Sequence, residues 1–360
     1  MSRCFLLSFV LVTLLVAWVF PASAVGQGQI SPNPNPQGNT IELGSGSNWY
    51  NDVQFSNYGD LENSGTLLNS RMLVTYGGLT NHGMFENGDE IFNYGGMLNS
   101  GTFANVAKGK LTNIGTLTHN GMLINTGEMT NTGAVTSNGT LTNEFGGTLT
   151  NSGTFNNDGT VTNNGTLMTS GTFNNNGTLN GDGIVSGLFT DLGILAPGNS
   201  AGVLTFSGNL IKTGGSLEIE LGGIFDGGGD KSLTEFDWLD VSGVFNIAGT
   251  LDVQLINDFQ LDELYTFEII NLDGKLTGQF DGLGEGDVVG NFGGVDLFIT
   301  YAGGDGNDVV LFNNLVSIPE PGAVGLLILG LGWFASRRRQ RTMTQGNDHI
   351  RERSHKGTIT

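Results

Sequence analysis

The feature of this sequence that most constrains its fold is an apolar residue that recurs every six positions. A two-residue insertion precedes Leu111 and another precedes Leu149, and the spacing resumes after each. A period of six residues matches neither an α-helix nor an alternating β-strand. It is typical of a solenoid in which each short strand points one large residue inward. The 24 positions are Leu43, Trp49, Phe55, Leu61, Leu67, Leu73, Leu79, Phe85, Ile91, Met97, Phe103, Leu111, Leu117, Leu123, Met129, Val135, Leu141, Leu149, Phe155, Val161, Leu167, Phe173, Leu179 and Val185.

The residues between the apolar positions predict the corners of the coil. Glycine makes up 60 of 360 residues and charged residues only 13%, which argues against an ordinary globular enzyme and for a repeat array. Asn-x-Gly triplets separate successive apolar positions, as at 113–115 and 131–133. Glycine and asparagine tolerate left-handed φ, so these triplets predict tight turns. We expect His82 and His119, which lie at corners of this type, to face solvent.

The two insertions indicate three sides per coil. They follow the eleventh and seventeenth apolar positions, six units apart, so a three-sided coil places both at one corner. Phe155 and Phe173 are then separated by one coil and should stack directly. Residues 43–186 would form eight coils, about 38 Å long at a strand spacing of about 4.8 Å. The pattern leaves the handedness of the coil open.

The segment 187–312 loses the six-residue period but keeps alternating apolar residues, as in 216–221. We interpret it as a second β-rich domain, either a further β-helix or a capping sheet, because an open solenoid end would pair with other chains. The stretch Leu195-Ala196-Pro197-Gly198-Asn199-Ser200-Ala201-Gly202-Val203-Leu204 resembles a motif that recurs in autotransporter passengers and other extracellular β-helices.

The amino-terminal residues 1–24 read as a secretory signal peptide. Arg3 precedes an apolar run, and Ala22-Ser23-Ala24 forms an A-x-A cleavage site after Pro21. Cleavage would remove Cys4, the only cysteine, so the mature chain would carry no disulfide. Such a signal predicts export through the Sec translocon, and residues 25–42 are expected to form a linker.

The carboxy-terminal end has three adjoining parts after a linker at 313–317. Ile318 leads into Pro319, Glu320 and Pro321, an apolar stretch at about 322–336 could cross a membrane, and a basic cluster follows at Arg337, Arg338, Arg339 and Arg341. This segment, 318–341, resembles the PEP-CTERM sorting domain of exported bacterial proteins. The resemblance implies an exosortase-type sorting enzyme as a partner and at least a transient membrane anchor. Family members usually end soon after the arginines, whereas here a polar tail, 342–360, follows.

The net charge argues against nucleic-acid binding, and one short motif suggests a calcium site. Residues 25–336 carry 32 acidic and 6 basic side chains, a net charge near −26 that should repel nucleic acid. Residues 303–311 match one copy of a calcium nonapeptide, with Asp305 and Asp308 as candidate ligands, but we favour a Gly-Asp turn before a last strand, because the motif is isolated. No other cofactor is expected, and calcium remains a possibility.

The sequence therefore predicts an all-β protein: a three-sided solenoid of hexapeptide repeats, a β-rich helix or cap domain, and one carboxy-terminal transmembrane helix. The function expected is a non-catalytic structural or adhesin-like role at the cell surface or in the extracellular matrix, with extracellular polysaccharide as partner. Two alternatives stay open. One is a secreted polysaccharide-active enzyme, and the other is a calcium-dependent carbohydrate-binding module.

Overall fold

The chain folds into a parallel β-solenoid of about eleven turns. The structure is a computed structural model, and it describes residues 27–313. The predicted signal peptide, the sorting motif and the apolar segment at 322–336 lie outside the described residues. Within residues 27–313, no helix is long and apolar enough to cross a membrane.

The amino-terminal part consists of short strands, most of them four residues long. They are β1 Gln27–Gln29, β2 Thr40–Leu43, β3 Asn48–Asn51, β4 Phe55–Asn57, β5 Asp60–Asn63, β6 Thr66–Asn69, β7 Leu73–Thr75, β8 Gly78–Asn81, β9 Met84–Asn87, β10 Glu90–Asn93, β11 Gly96–Asn99, β12 Thr102–Asn105, β13 Lys110–Asn113, β14 Thr116–His119, β15 Met122–Asn125, β16 Glu128–Asn131, β17 Ala134–Ser137, β18 Thr140–Asn143, β19 Thr148–Asn151, β20 Thr154–Asn157, β21 Thr160–Asn163, β22 Thr166–Thr169, β23 Thr172–Asn175, β24 Thr178–Gly181 and β25 Ile184–Gly187.

The carboxy-terminal part has longer strands and longer connections, one of which contains a short 3₁₀ helix, η1, at Lys231–Leu233. Its strands are β26 Phe189–Asp191, β27 Ile194–Pro197, β28 Val203–Ser207, β29 Leu210–Lys212, β30 Ser216–Leu221, β31 Trp238–Val241, β32 Phe245–Ile247, β33 Thr250–Leu255, β34 Thr266–Leu272, β35 Leu276–Gly278, β36 Val288–Phe292, β37 Val295–Gly303 and β38 Asp308–Asn313.

Successive strands belong to three parallel sheets, so every third strand stacks on the one before. Sheet A runs from β1 and β3 to β33, and sheet C from β2 to β35. Sheet B runs from β4 to β34 and is then extended by β38, β37 and β36. The three-sided arrangement predicted from the two insertions is thus present. Both insertions, at 106–109 and 144–147, connect a sheet A strand to a sheet B strand.

The apolar hexad residues form the core of the solenoid. Phe155 pairs with Phe173 in register, and their rings stack with centroids 4.6 Å apart, which confirms the prediction for this pair. The prediction that Leu43 begins the apolar column is wrong. Leu43 pairs with Asn63, whereas Ile41 pairs with Leu61, so Ile41 occupies the apolar column. The turn before Asn48, at 44–47, has four residues like the inserted turns at 106–109 and 144–147, and this added length shifts the register there.

The asparagines of the repeat also point into the solenoid, contrary to the expectation that they lie at solvent-facing corners. In the strand Thr116-Leu117-Thr118-His119 the second and fourth residues are buried, because alternate residues of a strand share one face. His119 is therefore fully buried, and the prediction for it is wrong. His82, in the turn itself, is exposed as expected.

The corner glycines are needed for close stacking rather than for left-handed φ. A Cβ atom on Gly133 would lie 2.1 Å from the carbonyl oxygen of Gly115, one coil earlier. Gly133 itself does not have a positive φ, whereas the inserted Gly146 does, at +84°. The backbones of successive coils approach so closely at these corners that only a hydrogen atom fits.

The solenoid continues without interruption past residue 186, where the sequence suggested a domain boundary. Leu179 pairs with Leu195 in sheet A, and Leu195 pairs with Leu217. The period is lost from the sequence because the turns lengthen, while the columns of inward residues persist. At the far end β38 pairs antiparallel with β34, and β37 and β36 follow. The segment 187–312 therefore contains both of the structures that we considered, a further stretch of β-helix and a capping β-sheet.

Candidate functional site: an acidic cleft at one corner

The corner between sheets A and B, here called the A–B corner, consists of the turns that join each sheet A strand to the next sheet B strand. These turns are short at 164–165 and 182–183, and they lengthen through 198–202 to 222–237. The autotransporter-like stretch supplies the turn at 198–202, between β27 and β28. The A–B corner is thus the most elaborated edge of an otherwise regular rod.

A cleft of about 250 Å³ opens beside this corner. Sheet A strands form its floor and the turn at 198–202 forms one wall. Its lining is polar and acidic, and consists of Asn180, Ala196, Pro197, Gly198, Asn199, Ser200, Glu218, Ile219, Glu220, Asp237 and Gln254. Glu218 and Glu220 point outward from β30, because the alternate residues Leu217, Ile219 and Leu221 fill the core.

Asp237 ties the long turn at 222–237 to the turn at 198–202 and to β30. Its Oδ1 atom accepts a hydrogen bond from the backbone N–H of Gly202 (2.8 Å), and its Oδ2 atom accepts one from that of Glu220 (2.9 Å). Burial raises the pKa of Asp237 to about 8, although these two N–H groups oppose the shift. The nearby carboxylates of Glu220 and Asp182 raise the pKa further.

An exposed network of polar side chains adjoins the cleft. The amide of Asn199 donates to Asn164 Oδ1 (2.9 Å) and to Asp182 Oδ2 (3.1 Å), which links three successive coils. Burial raises the pKa of Asp182, while the bond from Asn199 lowers it. Burial, followed by the charges of Asp252 and Glu220, raises the pKa of Glu218. The cleft thus offers carboxylates and amides that can bind hydroxyl groups or cations.

A second exposed feature lies at the corner between sheets B and C. Tyr58, Tyr76 and Tyr94 stack in consecutive coils with centroids 4.9 and 5.0 Å apart and nearly parallel rings. Each side chain is about half exposed. Because each ring covers the face of the next, the stack presents ring edges and hydroxyl groups to solvent rather than open aromatic faces.

The candidate calcium residue Asp305 lies in the turn that joins β37 to β38, and Asp308 is the first residue of β38. Asp308 Oδ1 accepts from the backbone N–H of Leu272 (2.7 Å), and Asp308 Oδ2 accepts from that of Asp305 (3.3 Å). Asp308 therefore anchors the capping hairpin to β34. Among residues 27–313, no group of three or more His, Cys, Asp or Glu side chains has the geometry to hold a metal ion.

The cleft that Glu218 and Glu220 of β30 form with Asp237 was not predicted from the sequence, because Asp237 comes from the separate turn at 222–237 and reaches β30 only in the folded coil. Glu218 and Glu220 were recognised only as outward residues of an alternating run, and residues 187–312 only as acidic. The predicted signal residues Ala22 and Ala24 and the sorting residues at 319–321 and 337–339 lie outside the described part of the chain.

Comparison with known proteins gives no relative for this chain: no family model, no curated protein and no solved structure matches it.

Proposed function

We propose that this chain is an exported, non-catalytic structural or adhesin-like protein of the bacterial cell surface or extracellular matrix. In this proposal it associates with exopolysaccharide and reaches its site through the PEP-CTERM-like segment. The observation that carries the proposal is the continuous solenoid, in which side-chain bonds between asparagines reinforce the backbone ladders of all three sheets.

The mechanical argument rests on these side-chain bonds. In sheet B, Asn113 donates to Asn131 and Asn131 donates to Asn151, both over 2.8 Å. Equivalent bonds in sheet A join Asn105, Asn125 and Asn143. To separate two coils would break backbone and side-chain bonds on three sides at once, so a rod of about 50 Å, at about 4.8 Å per coil, should resist bending and extension.

The outer surface suits weak, repeated contacts with a polysaccharide. Outward positions carry hydroxyl and amide groups, and some of them pair across coils, such as Asn138 with Asn120 (2.8 Å) and Asn174 with Asn156 (2.9 Å). Such groups donate and accept hydrogen bonds in the spacing of the coils. The net negative charge favours neutral glycans, or acidic glycans bridged by cations.

The test of sorting is fractionation of an epitope-tagged chain from its native host, with and without Pro319-Glu320-Pro321. The proposal expects the intact protein at the outer surface or in the matrix and the deletion variant retained at the inner membrane. Deletion of Gln345-Gly346-Asn347, three residues of the polar tail, is the matched control and should leave the distribution unchanged. An identical distribution of all three proteins would refute the sorting proposal.

The acidic cleft supports a second candidate, a polysaccharide-active enzyme or a calcium-dependent carbohydrate-binding module. Purified host exopolysaccharide incubated with the protein separates these functions from the structural one. Sustained depolymerisation that Glu218→Gln abolishes, and that Glu42→Gln on the exposed face of β2 preserves, would establish the enzyme. Binding of the glycan that chelator removes and calcium restores would establish the module.

A further inference from the structure

One pair of ionisable side chains lies entirely inside the solenoid. Asp191 on β26 and Lys212 on β29 are paired in register on neighbouring coils of sheet C, and both side chains are 0% exposed. They continue the inward column that Asn157 and Asn175 occupy in the coils before. The Nζ atom of Lys212 contacts Asp191 Oδ2 and donates to the carbonyl oxygen of Gly193 (3.0 Å).

The two oxygens of Asp191 have different surroundings. Oδ1 accepts from the side-chain amide of Asn175 (2.6 Å) and from the backbone N–H of Gly193 (3.3 Å). Oδ2 faces the amine of Lys212. Oδ1 thus has two N–H donors, and the amine that can act as a nucleophile lies at the other oxygen. Two such donors stabilise the negative charge that develops on a carbonyl oxygen during acyl transfer.

Burial also favours the uncharged forms of both groups. It raises the pKa of the Asp191 carboxyl and lowers the pKa of the Lys212 ammonium, against the mutual attraction of the two charges. A neutral amine has a free electron pair, and a neutral carboxylic acid can lose hydroxide as water. The protein therefore holds a nucleophile and its electrophile in contact and shifts both toward the forms in which they react.

We propose that Lys212 and Asp191 condense to an intramolecular side-chain amide, an isopeptide bond that links adjacent coils. The electron pair of Nζ attacks Cγ of Asp191, and Asn175 and Gly193 stabilise the charge that develops on Oδ1. The Nζ–Cγ bond forms and the Cγ–Oδ2 bond breaks. Oδ2 leaves as water with its own proton and one proton from Nζ, so the reaction needs no oxidant, reductant or further reactant.

The position explains why such a bond would persist and what it would do. The side chains are shielded from solvent, so hydrolysis is suppressed once the water has left. Fixed contact between the reacting groups replaces a bimolecular encounter. The bond would close a loop from β26 to β29, one complete coil, where the regular hexads give way to longer turns. This inference is independent of the proposed glycan association.

The test is a peptide map of the full-length chain after denaturation and digestion with chymotrypsin. Cleavage after Phe206, between the two residues, should leave the peptide that contains Asp191 joined to the peptide that contains Lys212. Their combined mass should be lower by one water than the sum of the separate peptides. Trypsin should also fail to cleave after Lys212, whereas it cleaves after an unmodified lysine.

Two substitutions serve as controls. Lys212→Arg keeps the positive charge but should give two separate linear peptides, and Lys275→Arg, on an exposed lysine, should keep the joined pair. Water can also leave by succinimide formation at Asp-Gly pairs such as Asp158-Gly159, but Lys212→Arg does not touch those sites. Recovery of only linear peptides with unmodified Asp191 and Lys212 from the wild-type chain would overturn the proposal and leave a buried ion pair.

Discussion

The side-chain amide of Asn113 donates to the Oδ1 atom of Asn131, 18 residues later and one coil further along, over 2.8 Å. The same Nδ2 atom also donates to the carbonyl oxygen of Ala134 (3.0 Å). Asn113 thus uses its amide to join its own coil to the next coil at two points, the paired asparagine of β16 and the first residue of β17. This relationship makes the interior of the solenoid partly polar and still hydrogen-bonded.

Substitution of a buried asparagine should destabilise the solenoid much more than substitution of an exposed one. Asn131→Ala leaves one N–H of the Asn113 amide and the Oδ1 atom of Asn151 without their partners inside the protein. Because an unsatisfied buried polar group costs about 1–3 kcal/mol, we expect a clear decrease in the urea midpoint. Asn138→Ala removes an exposed asparagine that also bonds across coils and should change stability by less than about 0.5 kcal/mol. Equal effects of the two substitutions would contradict this role of the buried column.

A methyl group at a stacked corner should not be tolerated. Gly133→Ala places a Cβ atom 2.1 Å from the carbonyl oxygen of Gly115, so the two coils must separate locally. We expect a loss of about 1–3 kcal/mol, measured by chemical denaturation. Gly96→Ala is the control, since a Cβ atom there meets only Thr116 Oγ1 at 3.6 Å, an ordinary contact. If both variants behaved alike, the close approach at the corner would not be what selects glycine.

A charge in the apolar column should loosen neighbouring coils. Leu117→Asp buries a carboxylate among residues that offer it no partner, whereas Thr116→Asp adds the same group on the exposed face of the same strand. Hydrogen exchange should show faster exchange in β11, β14 and β17 for Leu117→Asp alone, because these strands stack in register. Unchanged exchange in that variant would argue against the inward assignment of Leu117.

His119 should make the solenoid sensitive to acid. Its Nδ1 atom receives the amide of Asn99 (3.0 Å) and its Nε2 atom lies 2.9 Å from the carbonyl oxygen of Thr140, so the ring is neutral with its proton on Nε2. Burial lowers the pKa of His119, although the bond to Thr140 opposes the shift.

The lowered pKa of His119 determines the direction in which stability changes with pH. Below the ordinary value of 6.5 the unfolded chain takes up a proton that the folded chain resists, so stability falls as pH decreases through this range. His119→Asn restores an asparagine to the column and should remove this part of the decrease, measured as unfolding free energy at pH 7 and below 6. A parallel pH dependence in both proteins would exclude His119 as the source.

Asp237 should make the protein less stable as pH rises, the reverse of the effect of His119. Its pKa is raised from 3.8 to about 8, so the folded chain keeps a proton that the unfolded chain loses. Its contribution to stability is complete below about pH 4 and is lost as pH rises through 8. Asp237→Asn should lower stability at every pH, since an amide cannot accept both N–H bonds, but it should flatten this slope. Asp182 and Glu218, whose pKa values are also raised, would leave a residual slope.

The repeat, the three sides and the inward apolar column could be predicted because each follows from spacing alone. A chain with one large apolar residue per six positions can bury that residue only by turning a corner after each short strand. The insertions then had to meet at one corner, and they do, at 106–109 and 144–147. The inward asparagines were also within reach, because residues two apart in a strand share a face. Their position beside the glycines favoured the turns instead.

The continuation beyond residue 187 could not be seen in the spacing. Leu195 pairs with Leu217, and Leu217 pairs with Leu251, so the coil length changes from one turn to the next. Long turns such as 222–237 hide the period while the strands still stack. The cleft depends on the same turns, since Glu218 and Asp237 meet only because the turn folds back onto β30.

The sequence by itself determined the period, the number of sides and most of the apolar core residues of the repeat, because those depend on covalent spacing and on which side chains avoid water. The tertiary structure decided which residues meet across coils. Asn113 and Asn131, Asp191 and Lys212, and Asp237 and Gly202 are brought together by stacking at the inter-strand distance. That stacking turns a polar residue from a turn former into a buried hydrogen-bonding column, and it places an acid beside an amine where water does not reach.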